Sequence, residues 1–175
     1  MFRNHTVIFI SILFAASVQA AEPVAAGPTD PQIAAIVVTA NTVDIDAGKL
    51  AKTRTKDAEV KKFAEQMITD HGSVNKSAID LAKKLKLTPE ESETSRSLKS
   101  GGDDNIAKLK TLKGKEFDRA YVDHEVAYHQ AVLDAIDKTL LPSAKNEDLK
   151  ALITKVRPAI AAHLEHAKHI QSTLK

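Results

Sequence analysis

His71, His129 and His163, with Asp44 and Glu125, are the residues of this sequence whose types and spacing point to chemistry. A helix turns about 100° per residue, so each can be placed against the apolar stripe of its own segment. His71 falls between Met67 and Val74, while His163 follows Ile160 by three and precedes Ala167 by four; both face inward. Glu125 lies near the centre of its stripe, with His129 on the flank four residues on, and Asp44 sits beside Val43 and Ala47. Such groups are expensive to bury unpaired, so they must share hydrogen bonds or a cation. Neutral imidazoles with one or two carboxylates suit a single zinc, copper or iron ion. The alternative is a polar core network, imidazole to carboxylate, that holds no metal. A dinuclear iron centre is disfavoured, because it asks for about four Glu and two Glu-x-x-His repeats. Here the spacing is Glu125-x-x-x-His129 and two acids face inward. With so few acids the expectation leans away from an enzyme, and no catalytic residue is assigned.

Other residues carry weaker signals. His166 and His169 turn toward the solvent side, and His124 is a rim position beside Asp123. Tyr121 and Tyr128, at heptad spacing, read as core residues with satisfied hydroxyls. The glycines are scattered rather than gathered in a phosphate loop, and no serine stands in a nucleophile elbow. With 25 Lys and Arg against 23 Asp and Glu, the formal charge is +2, which argues against a nucleic-acid partner. Beyond the first fourteen residues the aromatic residues are Phe63, Phe117, Tyr121 and Tyr128, too few for a base-stacking platform. Cysteine is absent, which removes disulfides, thiolate nucleophiles, Cys-ligated zinc, iron–sulfur clusters and a lipid-anchoring Cys.

The elements that must position the candidate ligands are helices, since apolar residues repeat at helical spacing and no segment alternates like a strand. Asp30-Pro31 reads as a cap followed by proline at the first helical position. The first stripe then runs from Ile33 to Ala51, and a break at Thr55-Lys56-Asp57 precedes a second from Val60 to Leu85. Thr88-Pro89-Glu90-Glu91 reads as another start, with a polar stretch from Ser92 to Ser100 and an interruption at Gly101-Gly102. A third long helix is expected over Glu116 to Thr139, and a fourth from Leu149 to Leu174 with a kink at Pro158. Four amphipathic helices must bury their stripes against one another. Short first and third connections imply two antiparallel hairpins. The long segment Lys86 to Lys115, if partly helical, crosses the length of the bundle between them. The expected fold is therefore all-α, a ferritin-like four-helix bundle over residues 30–175, with a simple up-down bundle carrying a floppy insertion as the alternative. In that arrangement Asp44 and His71 lie about 4–5 Å apart along the axis. His163 falls about 7 Å from His129, nearer the level of Glu125.

Residues 1–20 read as a cleavable signal peptide: Arg3, an apolar run from Val7 to Val18, then Val18-Gln19-Ala20. Residues 21–29 read as a linker, and no stable membrane anchor is expected after cleavage. The mature chain is expected in the periplasm or outside the cell, with an envelope protein or a second copy of itself as candidate partner. Phe63-Ala64-Glu65-Gln66-Met67, Asp70-His71, Phe117-Asp118-Arg119-Ala120-Tyr121 and His129-Gln130 together resemble an exported bacterial family, domain of unknown function 4142. That family is grouped with ferritin-like folds, and its members are often labelled membrane or outer-membrane proteins. The resemblance covers most of Asp30 to Lys175 and maps the family pattern onto His71, Tyr121, His129 and His163, with an acid at Asp44. Two positions depart from it: Arg157 stands before the last proline where leucine is usual, and Glu125 where a neutral residue is commoner. The resemblance implies a helical exported domain and supplies no established reaction.

Overall fold

A computed structural model describes residues 27–174. All secondary structure among them is helical: α1 (Asp30–Arg54), α2 (Ala58–Lys84), α3 (Glu93–Thr111), α4 (Gly114–Ala135), α5 (Leu141–Ser143) and α6 (Glu147–Thr173). A π turn, Ile136–Leu140, joins α4 to α5. The expected signal peptide lies outside the described residues, as does nearly all of the expected linker. None of the described helices is long and apolar enough to cross a membrane.

Local chemistry sets most boundaries. The first cap is Thr29 rather than Asp30: its hydroxyl and the Gln32 side chain form a reciprocal capping box. Asp30 instead reaches across the fold, accepting the backbone N–H groups of Lys145 and Asn146 at 2.9 and 3.0 Å. Asp57 caps α2 and Asn146 caps α6, each through a side-chain oxygen on an orphan N–H. The start expected at Thr88–Glu91 is moved to Ser92, which caps α3 in a second capping box with Ser95. The interruption expected at Gly101-Gly102 does not occur, because α3 runs through both glycines. A Cβ on Gly102 would stand 2.7 Å from the Val43 side chain, so the missing side chain is what lets α3 lie close on α1.

α1 is the central element, touching α2, α3 and α4, and α4 lies along α6. Its small residues suit that position: Ala34, Ala35, Ala47, Gly48 and Ala51 are all buried. The regular part of α4 stops at Ala135, short of the expected Thr139. There the helix widens into the π turn, in which Leu141 N–H reaches the Ile136 carbonyl. α6 continues through Pro158, which has no N–H for the Thr154 carbonyl.

Two apolar clusters fill the interior. One gathers Ala47, Val60, Phe63, Met67, Phe117, Tyr121, Ala167 and Ile170, among others. The other includes Ile33, Ile36, Leu133, Ile136, Leu140, Ile153, Ile160 and Leu164. Asp44 on α1, and Glu125 and His129 on α4, stand where each chain passes from one cluster to the other.

Candidate metal centre

The five candidate ligands all lie in the interior: Asp44, His71, His129 and His163 are 1–2% exposed and Glu125 is fully buried. His129, expected on the flank of its stripe, is inside because α6 covers α4 on that side. The imidazoles of His71, His129 and His163 form a triangle with ring centroids 5.2–5.6 Å apart. The His129 and His163 rings meet at 5.5 Å, so the axial mismatch of about 7 Å expected for His163 does not keep them apart. Rise counted from the helix ends gives no account of how α6 is set against its neighbours.

Each ring has one nitrogen tied to the protein and one facing no partner. His71 Nδ1 is 2.7 Å from Asn41 Oδ1, while Asn41 Nδ2 donates to the Val37 carbonyl at 2.7 Å. The Asn41 oxygen must therefore accept, Nδ1 carries the proton, and Nε2 keeps a bare lone pair. His129 Nδ1 donates to the Glu125 carbonyl at 2.9 Å, and His163 Nε2 donates to Asp70 Oδ2 at 2.9 Å. The same logic leaves His129 Nε2 bare, and the neutral form of His163 carries its free lone pair on Nδ1. All three of those nitrogens are buried without a hydrogen-bond partner. Holding one imidazole nitrogen through a carbonyl or carboxylate is how proteins orient a metal-ligating histidine.

The acids complete the cluster. Asp44 Oδ2 is 3.4 Å from His71 Nε2, and Glu125 Oε2 is 3.5 Å from His129 Nδ1. Burial raises both carboxyls above the usual range, and an oxygen of each lies within 4.8 Å of one of the other. Two carboxyls so close in an apolar interior share a proton rather than both ionise. Burial and the neighbouring rings act oppositely on the imidazoles, lowering His71 to about 3 and His129 to about 4. Both are therefore neutral at physiological pH, the form that ligates a metal. Two sets of three ligand atoms fall within 4.8 Å of one another: His71, His129 and His163, and Asp44, Glu125 and His129. Together these groups could hold a metal ion.

Two partners in this arrangement, Asn41 and Asp70, were not singled out as site residues from the sequence. Asn41 offers a signal in retrospect, an amide on the same helix face as Asp44 one turn earlier, and Asp70 directly precedes His71. Tyr128 donates its hydroxyl to the Ala40 carbonyl at 3.1 Å, as expected of a core tyrosine. Tyr121 does not follow that expectation: its hydroxyl is buried without a partner, and burial with Glu125 and Asp44 nearby holds its proton on. His124 stacks on Tyr128, His166 meets the Phe63 ring and Gln66, and His169 is exposed; none joins the cluster. Arg157 forks onto Asp137 of the π turn through two 2.6 Å bonds, which gives that charged residue a surface role.

These are all-helical elements around a buried histidine and carboxylate cluster. A family described as a domain of unknown function (DUF4142) matches residues 15–170, and the chain belongs to that family. Searches of curated proteins and of solved structures found no significant match.

Proposed function

We propose that this chain is an exported, ferritin-like four-helix bundle that holds one transition metal ion for metal handling or stress protection in the cell envelope. The observation that carries the reading is the set of three buried imidazoles, each oriented through its outer nitrogen and each left with an unpaired inner lone pair. A metal-free polar network would have paired those lone pairs with donors, since unpaired buried acceptors are destabilising. In the proposed site His71 and His129 ligate through Nε2 and His163 through Nδ1. Asp44 and Glu125 supply negative charge, either as ligands or as acceptors for a bound water. Three imidazoles and an acid suit zinc, copper or iron.

The bundle assignment draws support from the order in which the helices meet the two apolar clusters. α1 and α6 pass from the Ile33 cluster to the Phe63 cluster, whereas α2 and α4 pass the other way. That order fits a hairpin, a long crossover through α3, and a second hairpin. Export rests on the N-terminal segment alone: its basic start, apolar run and small-residue cleavage motif.

The test is metal analysis of the purified protein after reconstitution with zinc, copper or iron, alongside melting temperatures across that panel. Near-stoichiometric metal and a raised melting temperature, both lost in His71→Ala, are expected. A wild-type protein that takes up no metal and melts unchanged would overturn the reading.

A further inference from the structure

An apolar cavity of about 260 Å³ lies in the Ile33 half of the interior, and its polar end is formed by Asp44 and His71. Val37, Leu98, Val132 and Val156 are among the side chains that form its walls. Both irregularities of the long helices border it. Ile136, Thr139 and Leu140 of the π turn form one wall, and Val156 and Ile160, flanking Pro158, form another. A π turn adds a residue to one helical turn and is frequent at functional sites. Thr94, Leu98 and Tyr128 line both the cavity and a surface groove between α3 and α4, so the cavity lies next to the surface there.

A dry apolar cavity of about 150 Å³ is enough to bind benzene, so this one accommodates a ring with substituents. Its lining is mostly aliphatic, with Asn41, Thr94, Tyr128 and Thr139 as the polar exceptions away from the Asp44–His71 pair, too few to match the many polar groups of a sugar or nucleotide. Its polar end offers acceptors: Asp44 Oδ1 and His71 Nε2 are both buried and unpartnered. A molecule complementary to both ends has a compact hydrocarbon body and one hydroxyl. We propose that the cavity binds a small monohydroxylated hydrocarbon, body among the aliphatic walls and hydroxyl donated to the Asp44–His71 end. The cavity and its hydroxyl acceptors stand without any metal. Contact between the hydroxyl oxygen and a bound ion rests on the reading above.

The probes are 4-methylphenol and toluene, which differ by that hydroxyl, titrated calorimetrically into chelator-treated protein. Saturable one-to-one binding is expected, with 4-methylphenol tighter by about fivefold or more, the worth of one net hydrogen bond. Ala135→Phe, which fills the cavity from α4, is expected to weaken both probes by about tenfold or more. Nuclear Overhauser contacts from bound 4-methylphenol to the methyl groups of Val37, Leu98 and Val156 locate it even where Ala135→Phe does not fold. Absence of saturable binding, or contacts only to methyls elsewhere, overturns the proposal; toluene binding as tightly as 4-methylphenol overturns its hydroxyl part. Because these titrations use metal-free protein, their failure is separate from failure of the metal reconstitution.

Discussion

The two halves of the interior are built differently. The half around Phe63 is filled by large side chains: Phe63, Met67, Phe117 and Tyr121 are all at most 1% exposed, and Phe63 meets Tyr121 edge-on at 6.3 Å. The apolar cluster around Ile33 is built from aliphatic side chains alone, and that half contains the π turn and Pro158 and leaves the cavity. Aromatic rings cover large areas with few torsions and close the space between helices. Aliphatic side chains on helices pushed apart by an extra residue do not. The histidine and carboxylate cluster lies at the junction, with rigid packing on one side and accessible space on the other.

The sharpest way to break that contrast is to truncate one side chain in each half. Phe63→Ala is expected to destabilise the protein by ~3–5 kcal/mol, because its neighbours cannot collapse into the space. Val132→Ala, at the cavity wall, is expected to stay below ~1.5 kcal/mol, since it removes contacts from one side only. Urea denaturation of both variants checks this, and equal losses would mean that the halves are packed alike.

Metal loading tests the junction itself. At a hundredfold excess of free metal over its dissociation constant, stability is expected to rise by ~2.7 kcal/mol, and His71→Ala to abolish the gain. Thermal and chemical unfolding with and without metal give the comparison.

The acids and the histidines make opposite contributions to pH dependence in the metal-free protein. His71 and His129 have lowered folded values, so the unfolded chain takes up protons first as pH falls below about 6.5. Their share of stability is present above that point and is lost toward about pH 4, at ~1.4 kcal/mol per pH unit for each ring. Asp44 and Glu125 have raised folded values, so the folded protein keeps a proton there that the unfolded chain releases, and acid favours the folded state. The two contributions partly cancel in the native protein. The double variant Asp44→Asn/Glu125→Gln is expected to show a distinctly steeper loss of stability between about pH 6 and 4.5 than wild type. Parallel slopes would show that the carboxyls do not hold a proton.

The smallest expected effect lies one shell out. Asn41→Ala and Asp70→Ala leave every proposed ligand in place but release the ring orientation of His71 and His163. Metal affinity is expected to fall by about 10–100-fold, measured by competition with a chromophoric chelator, with metal stoichiometry unchanged. A variant that binds as tightly as wild type would show that the outer nitrogens do not position the rings.

Much of the site was legible before any coordinates, because a buried polar residue stands out against a periodic apolar stripe. His71 between Met67 and Val74 needs no knowledge of its neighbours to be placed inward. Asn41 escaped notice because an amide near a helix stripe is equally at home on the surface. Its role appears only when His71 arrives from another helix. Asp70 is 42% exposed at its side chain and looks like an ordinary surface acid until His163 reaches it. The continuity of α3 was hidden for a similar reason: glycine is a poor helix former by itself, and only contact with Val43 makes its missing side chain an advantage.

The sequence alone determined the all-helical character, the start and end of the long helices to within a few residues, and the inward setting of Asp44, His71, Glu125 and His163. Those properties follow from periodicity and capping, which act over a few residues of one chain segment. Tertiary structure decided what those side chains meet: the three imidazoles gathered into one triangle, two buried acids brought within a few ångströms, and the cavity beside them. Such features depend on the relative setting of separate helices, which depends on every side chain in their interfaces and is encoded by no single stretch of the chain.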